Sequence, residues 1–373
     1  MIKMEYMGYF MPLKDGIDMA LNAFLNKVKN GKTVNVAYLG GSITEGAGSS
    51  KDEFTWRRKT SEYLRRRFPN AVVNEIAAGI GGTGSSLGLF RLRHDVLNYA
   101  PDLLFVEFAV NDCNAPFEQT RAYMEGIVRL TLKEYPDCGI VFIYTTQGGM
   151  YREKKQGIRN VSYLAHDAVA MQYGIETIDV GKTIEDAADA HDGDFRVCTI
   201  DGCHPNDEGY ALYAKRIEER MEEIFAAEGD VHLAAPITDE YFDDADIIDP
   251  YDCLLCGFEK VEGGFYGRMP HIVKAAGNGE TLSFEFDGEC LGIYLSYAKD
   301  SGDISWVLDG KDMGSVRTFD KYCLEFDRSN YNIIGFKLEK GHHKVTLTAC
   351  GTKDERSVGT VVRIAGLLVA RRG

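Results

Sequence analysis

No stretch of this 373-residue chain stays apolar for the roughly 20 residues that a bilayer requires, so no membrane-spanning helix is expected. The opening residues, MIKMEYMGYFMPLKDG, lack the unbroken apolar core of a secretory signal. The nine cysteines, at positions 113, 138, 198, 203, 253, 256, 290, 323 and 350, are odd in number and follow no repeating spacing. They make a poor disulfide framework. Only Cys253-x-x-Cys256 forms a close pair, and no second pair completes a zinc set, so reduced thiols are expected. Both absences point to the cytoplasm, where the sequon Asn160-Val161-Ser162 would go unused. Basic residues are also short: 42 Lys and Arg face 57 Asp and Glu, a formal charge of −15. That deficit argues against a nucleic-acid partner or an anionic membrane and suits a neutral, polar substrate. An oligomer is compatible with all of this.

What is present is foldable material. An apolar fraction of 45% with 11% aromatics excludes a disordered chain, and the length suggests two domains. Between residues 34 and 229, β-branched runs (34–40, 72–77, 102–109, 139–145, 175–180) alternate with helical patterns near 54–67, 86–98, 117–135, 160–173 and 207–228. Apolar runs of this density predict an α/β domain, a parallel sheet covered on both faces. Ile17, Ala20, Leu21, Phe24, Leu25 and Val28 share one face of a further helix before the first strand. Residues 238–252 hold seven acids and no base, read as a solvated linker in preference to a calcium site. From about 256 the helical period vanishes. Runs such as LSFEFDG, LGIYLSYA and ISWVLDG, with turns at Asp309-Gly310 and Lys340-Gly341, predict an all-β, jelly-roll-like sandwich. The expected organisation is the α/β domain over 1–235, a linker over 236–255 and the sandwich over 256–373.

Four short motifs fall where parallel-sheet folds present chemistry, at the carboxyl ends of strands. Leu39-Gly40-Gly41-Ser42 places a serine after the first strand, with glycines that permit a sharp turn. Gly79-Ile80-Gly81-Gly82-Thr83-Gly84 follows the second. It formally matches a dinucleotide fingerprint, yet that fingerprint usually occupies the first βα turn; its glycines equally suit a backbone N–H that stabilises an oxyanion. Asn111, after the third strand, offers an amide donor, and the adjacent Asp112 suits a structural role in the turn. Asp201-Gly202-Cys203-His204 puts a carboxylate three residues before an imidazole, close enough to set its tautomer, with Asn206 or Asp207 capping the next helix. His94, His166, His191 and the His342-His343 pair lack a comparable placement.

In this order and placement the four motifs resemble the SGNH (GDSL-type) hydrolase superfamily. The resemblance implies that Ser42 is the nucleophile, His204 the general base and acid, and Asp201 its orienting partner. It further implies oxyanion donors from the Ser42 N–H, the Gly82 N–H and the Asn111 side chain, and requires no metal or cofactor. One departure is visible: the aspartate usual before the nucleophile is Gly41 here, a change that several carbohydrate esterases share. The dinucleotide reading leaves Ser42, Asn111, Asp201 and His204 unexplained.

The sandwich resembles a family-35 carbohydrate-binding module, and the two-domain layout resembles the acetylmannan esterases of carbohydrate esterase family 17. That layout implies removal of O-acetyl groups, chiefly the 2-O-acetyl of mannose, from imported oligosaccharides. Acetylated xylan or sialate substrates, or a sugar-binding protein with a vestigial hydrolase half, are the alternatives. Trp306 alternates with Ile304 and Leu308 and is expected in a core, as is Trp56 by packing. The short acidic linker predicts that the sandwich reaches over the active site.

Overall fold

Five parallel strands organise the first half of the chain in the computed structural model, which describes residues 21–226, 233–262 and 269–372. They are β1 (Thr33–Gly40), β2 (Val72–Gly79), β3 (Leu103–Glu107), β4 (Gly139–Tyr144) and β5 (Glu176–Asp179), in spatial order β2-β1-β3-β4-β5. Every residue of β3 and β4 is buried, as a sheet covered on both faces requires. The strand period sorts β1 between two cores: Val34, Val36 and Tyr38 face helices Asn22–Lys29, Trp56–Arg67 and Asp207–Ala226, while Ala37 and Leu39 face Phe117–Glu134 and Val161–Tyr173. The predicted three-layer αβα domain is thus observed. Of the expected first helix, Phe24, Leu25 and Val28 are buried, whereas Ile17 and Ala20 lie outside the described residues. Trp56 is fully buried against Tyr38 and Phe105. Asn160 of the sequon is also buried, its side chain accepting the Ser162 N–H to cap the helix Val161–Tyr173.

The second half is one nine-stranded antiparallel sheet folded onto itself. Its strands are β6 (Asp244–Ile248), β7 (Leu254–Cys256), β8 (Glu259–Val261), β9 (Ile272–Ala275), β10 (Thr281–Tyr297), β11 (Ile304–Leu308), β12 (Lys311–Val316), β13 (Arg328–Ala349) and β14 (Val362–Arg371). The long β10 and β13 shift register between Gly288 and Cys290. That irregularity moves the inward face of β10 from even residues (Leu282, Phe284, Phe286) to odd ones (Leu291, Ile293, Leu295). Both halves of the sheet therefore close on one core with Trp306, Ile364 and Leu367, which gives the expected sandwich. Trp306 belongs to that core, in step with the alternation of its strand.

The same shift aims Cys290 and Tyr294 at the first domain. They join Leu368 and Ala370 of β14 in a core continuous with Leu87, Leu89, Phe90 and Tyr123 of the first domain. Tyr123 stacks on Phe242 at 5.8 Å and meets Phe336 at 5.7 Å. The two domains share an apolar interior, so their relative placement is set by packing. The segment 236–255 differs from its reading as a solvated linker. Asp244–Ile248 is a strand paired with Leu367–Arg371, and Ala245 is buried. Several of the acids that suggested solvation are matched instead by bases: Asp244 by Arg93 at 2.7 Å and by Arg371, Asp243 by Lys133 at 3.4 Å.

Candidate active site

β1 ends in Gly40, and the short helix Ser42–Glu45 begins at once, so Ser42 stands at the carboxyl edge of the sheet. As the first residue of that helix its N–H is among the donors a helix leaves unpaired. Ser42 Oγ lies 2.8 Å from His204 Nε2, and His204 Nδ1 lies 2.7 Å from Asp201 Oδ2. The other Asp201 oxygen accepts the backbone N–H groups of His204 (2.8 Å) and Cys203 (3.0 Å). Gly202, at φ +86°, supplies the left-handed backbone this turn needs. Partial burial opposes ionisation of Asp201, but the hydrogen bonds from His204 and Cys203 outweigh it and hold the carboxyl below its usual range. With the Nδ1 proton on the Asp201 side, the Nε2 lone pair faces the serine hydroxyl.

Asn111 packs closely on the glycine before the serine. A Cβ on Gly41 would stand 2.0 Å from Asn111 Oδ1, so a side chain at position 41 would require Asn111 to shift. The glycine run after β2 is explained by the same neighbourhood. A Cβ on Gly79 would strike the Glu45 backbone, Gly81 donates its N–H to Glu45 Oε2 at 2.9 Å, and a Cβ on Gly84 would strike Asp112. Gly82 adopts φ +72° between them. These glycines serve close packing around the serine helix, and no dinucleotide site is needed to explain them. Asn206 caps the helix Asp207–Ala226 through the Gly209 N–H (2.9 Å), while Asp207 accepts from Ser50 N (2.8 Å) and Ser50 Oγ (2.6 Å). That carboxylate ties the serine loop to the histidine loop. The other histidines bond elsewhere: His94 to Asp95, His191 to the Ala187 carbonyl, and His342 and His343 to acids of the second domain.

Three residues of this site, Glu45, His166 and Glu107, carried no recognisable sequence signal. Glu45 holds the glycine loop together with Asp112, in the structural role expected of it, and its buried partner His166. Glu107, fully buried at the end of β3, accepts from Thr44 Oγ1 (2.9 Å) and Thr145 Oγ1 (2.6 Å) directly beneath the serine helix. Burial pushes its carboxyl up to about 7 despite those donors. Because the folded state binds this proton more tightly than the unfolded chain, its contribution to stability is complete below about pH 4.5 and is lost as pH rises through 7. Wild-type stability should therefore fall relative to Glu107→Gln across that window, by on the order of 3 kcal/mol. Denaturant midpoints of both proteins at pH 4.5 and pH 8 measure the difference; parallel pH curves would contradict it.

The second domain also reaches this site. Arg328 Nη1 lies 3.9 Å from where a Cβ on Gly82 would be, and its guanidinium covers Tyr297 and Tyr322 while pairing with Asp320.

Residues 38–212 match the GDSL-like lipase/acylhydrolase family, a span that contains Ser42, Gly82, Asn111, Asp201 and His204. This part of the chain is a GDSL-type acylhydrolase domain. The GDSL-type domain and its β partner together share the fold of a two-domain esterase active on acetylated mannans. The likeness has a TM-score of 0.83 at 23% identity and covers 95% of this chain and 95% of that one. The same esterase co-crystallised with mannopentaose matches equally, covering 96% of that chain. An acetylxylan esterase from Geobacillus stearothermophilus matches 50% of this chain and 94% of its own at 15% identity and a TM-score of 0.42. Among curated proteins no sequence matches. Among the described residues no helix is long and apolar enough to cross a membrane.

Proposed function

We propose that this protein is a serine acetylesterase that removes acetyl groups from manno-oligosaccharides through an acyl-enzyme. The observation that carries the reading is the Ser42–His204–Asp201 relay within a GDSL-type domain. His204 Nε2 takes the Ser42 hydroxyl proton as Oγ attacks the ester carbonyl. The tetrahedral oxyanion is held by the Ser42 N–H, the Gly82 N–H and the Asn111 amide. His204 then gives its proton to the departing sugar oxygen. Water, deprotonated by the same imidazole, attacks the acetyl-serine and releases acetate. Asp201 stabilises the imidazolium formed in each half-reaction.

The sugar reading rests on the fold shared with a two-domain esterase that acts on acetylated mannans. We assign the hydrolase to the residues before the acidic segment and the sugar-facing wall to the sandwich. Tyr322 and Phe326, 43% and 52% exposed, pack on one another with Arg328 over the Tyr322 ring, and they offer apolar faces for stacking on a sugar ring. Preference for 2-O-acetyl mannose and action on imported oligosaccharides in the cytoplasm complete the proposal; nine unpaired thiols suit such a compartment.

Acetate release from acetylated manno-oligosaccharides, acetylated xylo-oligosaccharides and O-acetyl sialate tests it, with NMR reading which position is freed. The expected result is fastest release from the mannose series, at the 2-position. Preference for xylan or sialate would replace the sugar assignment, and no release from any substrate would sink the esterase reading.

A further inference from the structure

The helix Ser85–Phe90 starts three residues after Gly82, and its first turn is held from two sides. On the hydrolase side Asp112 Oδ1 accepts the Ser85 N–H at 3.0 Å, while Oδ2 accepts from His166 Nε2 at 3.0 Å. Asp112 and His166 are both buried, and Asp112 directly follows Asn111, so this carboxylate ties the asparagine turn to the glycine turn. On the opposite side stands Tyr331 of β13, whose hydroxyl lies 2.7 Å from Ser86 Oγ. Tyr331 is no loop residue. It pairs across the sheet with Tyr294 of β10 and packs against the core that the two domains share. Three residues earlier on the same strand, Arg328 Nη1 lies 3.9 Å from where a Gly82 Cβ would be.

We propose that Tyr331 is a positioning residue for ester hydrolysis: its bond to Ser86, opposite the Asp112–Ser85 bond, fixes the Gly82 N–H relative to Ser42 and Asn111. The second domain then acts on the chemical step as well as on sugar capture. The idea rests on the reading of Gly82 as an oxyanion donor. The physical reason is that such a donor stabilises developing charge only if it is held in place before the charge appears. A glycine at positive φ has no side chain with which to hold itself. Asp112 restrains the turn through its backbone, and Tyr331 restrains it through a side chain on a rigid strand.

The test uses the full chain and a chromogenic phenyl acetate, a substrate with no sugar for the sandwich to grip. Tyr331→Phe and Ser86→Ala each remove the same hydrogen bond. Each should lower kcat about threefold to tenfold with KM nearly unchanged. The drop is expected whichever half-reaction limits the rate, because both pass through an oxyanion. The double variant should be no slower than the worse single one, and Ser86→Thr, which keeps a hydroxyl, should restore most of the rate. Thermal melts of all four variants accompany the rates. A lowered melting temperature with unchanged kcat would overturn the proposal, leaving Tyr331 a purely structural residue. So would a loss confined to KM on acetylated oligosaccharide, or additive effects in the double variant. Ser42→Ala, run alongside, separates the two readings. Ser42-dependent hydrolysis with an unaffected Tyr331→Phe enzyme refutes this inference alone, whereas wild-type hydrolysis that ignores Ser42 refutes the esterase reading as well.

Discussion

Ser42→Ala is expected to lower kcat on a chromogenic acetate ester by on the order of 10⁴-fold or more, with KM little changed. The size follows from the proposed mechanism, in which without Oγ no acyl-enzyme forms and only oxyanion stabilisation and binding remain to assist water. No neighbour is placed to substitute. Thr44 spends its hydroxyl on Glu107, and Ser49 and Ser50 are engaged by Asp207. Cys203 lies between Asp201 and His204 in sequence, but burial pushes its thiol up to about 12, so it is not a thiolate at neutral pH. Initial rates on the purified variant measure the loss. Activity within tenfold of wild type would place the nucleophile elsewhere.

Asn111→Ala should cost about 10²–10³-fold in kcat, the range for removing one oxyanion donor from a preorganised site. The effect should fall on kcat rather than KM, because the charge that Asn111 meets exists only after attack. Asn111→Asp separates geometry from charge. It keeps the shape that packs on Gly41 but sets a carboxylate beside the oxyanion, and it should be at least as slow as the alanine variant. A fully active Asn111→Asp enzyme would remove Asn111 from the oxyanion site. Preserved melting temperatures in both variants would show that the loss is chemical.

The parts legible in the sequence are those set by local rules. Of the first domain's strand runs, β3 and β4 are buried along their whole length, and the density of apolar residues in the five runs announced a parallel sheet. Asp201 and His204 are three residues apart, so one turn joins them and their spacing alone was informative. Trp306 could be assigned to a core because a strand's period of two leaves its direction no freedom. The acidic run misled for the converse reason. A count of acids carries no information about which bases the fold brings to them, and Arg93 and Arg371 come from far along the chain.

What the sequence by itself determined is which polar side chains stand at the strand ends. Tertiary structure alone decided how they meet. Ser42 and His204 are 162 residues apart, and Ser86 and Tyr331 are 245 apart. It also decided that Glu107 is buried beneath the serine, that Asn111 packs against residue 41, and that the second domain meets the helix after the glycine turn. Backbone preference and hydrophobic period act over a few residues, so they specify elements. Contacts between elements depend on how whole faces pack, and a register shift such as the one near Gly288 redirects an entire strand face toward a different neighbour.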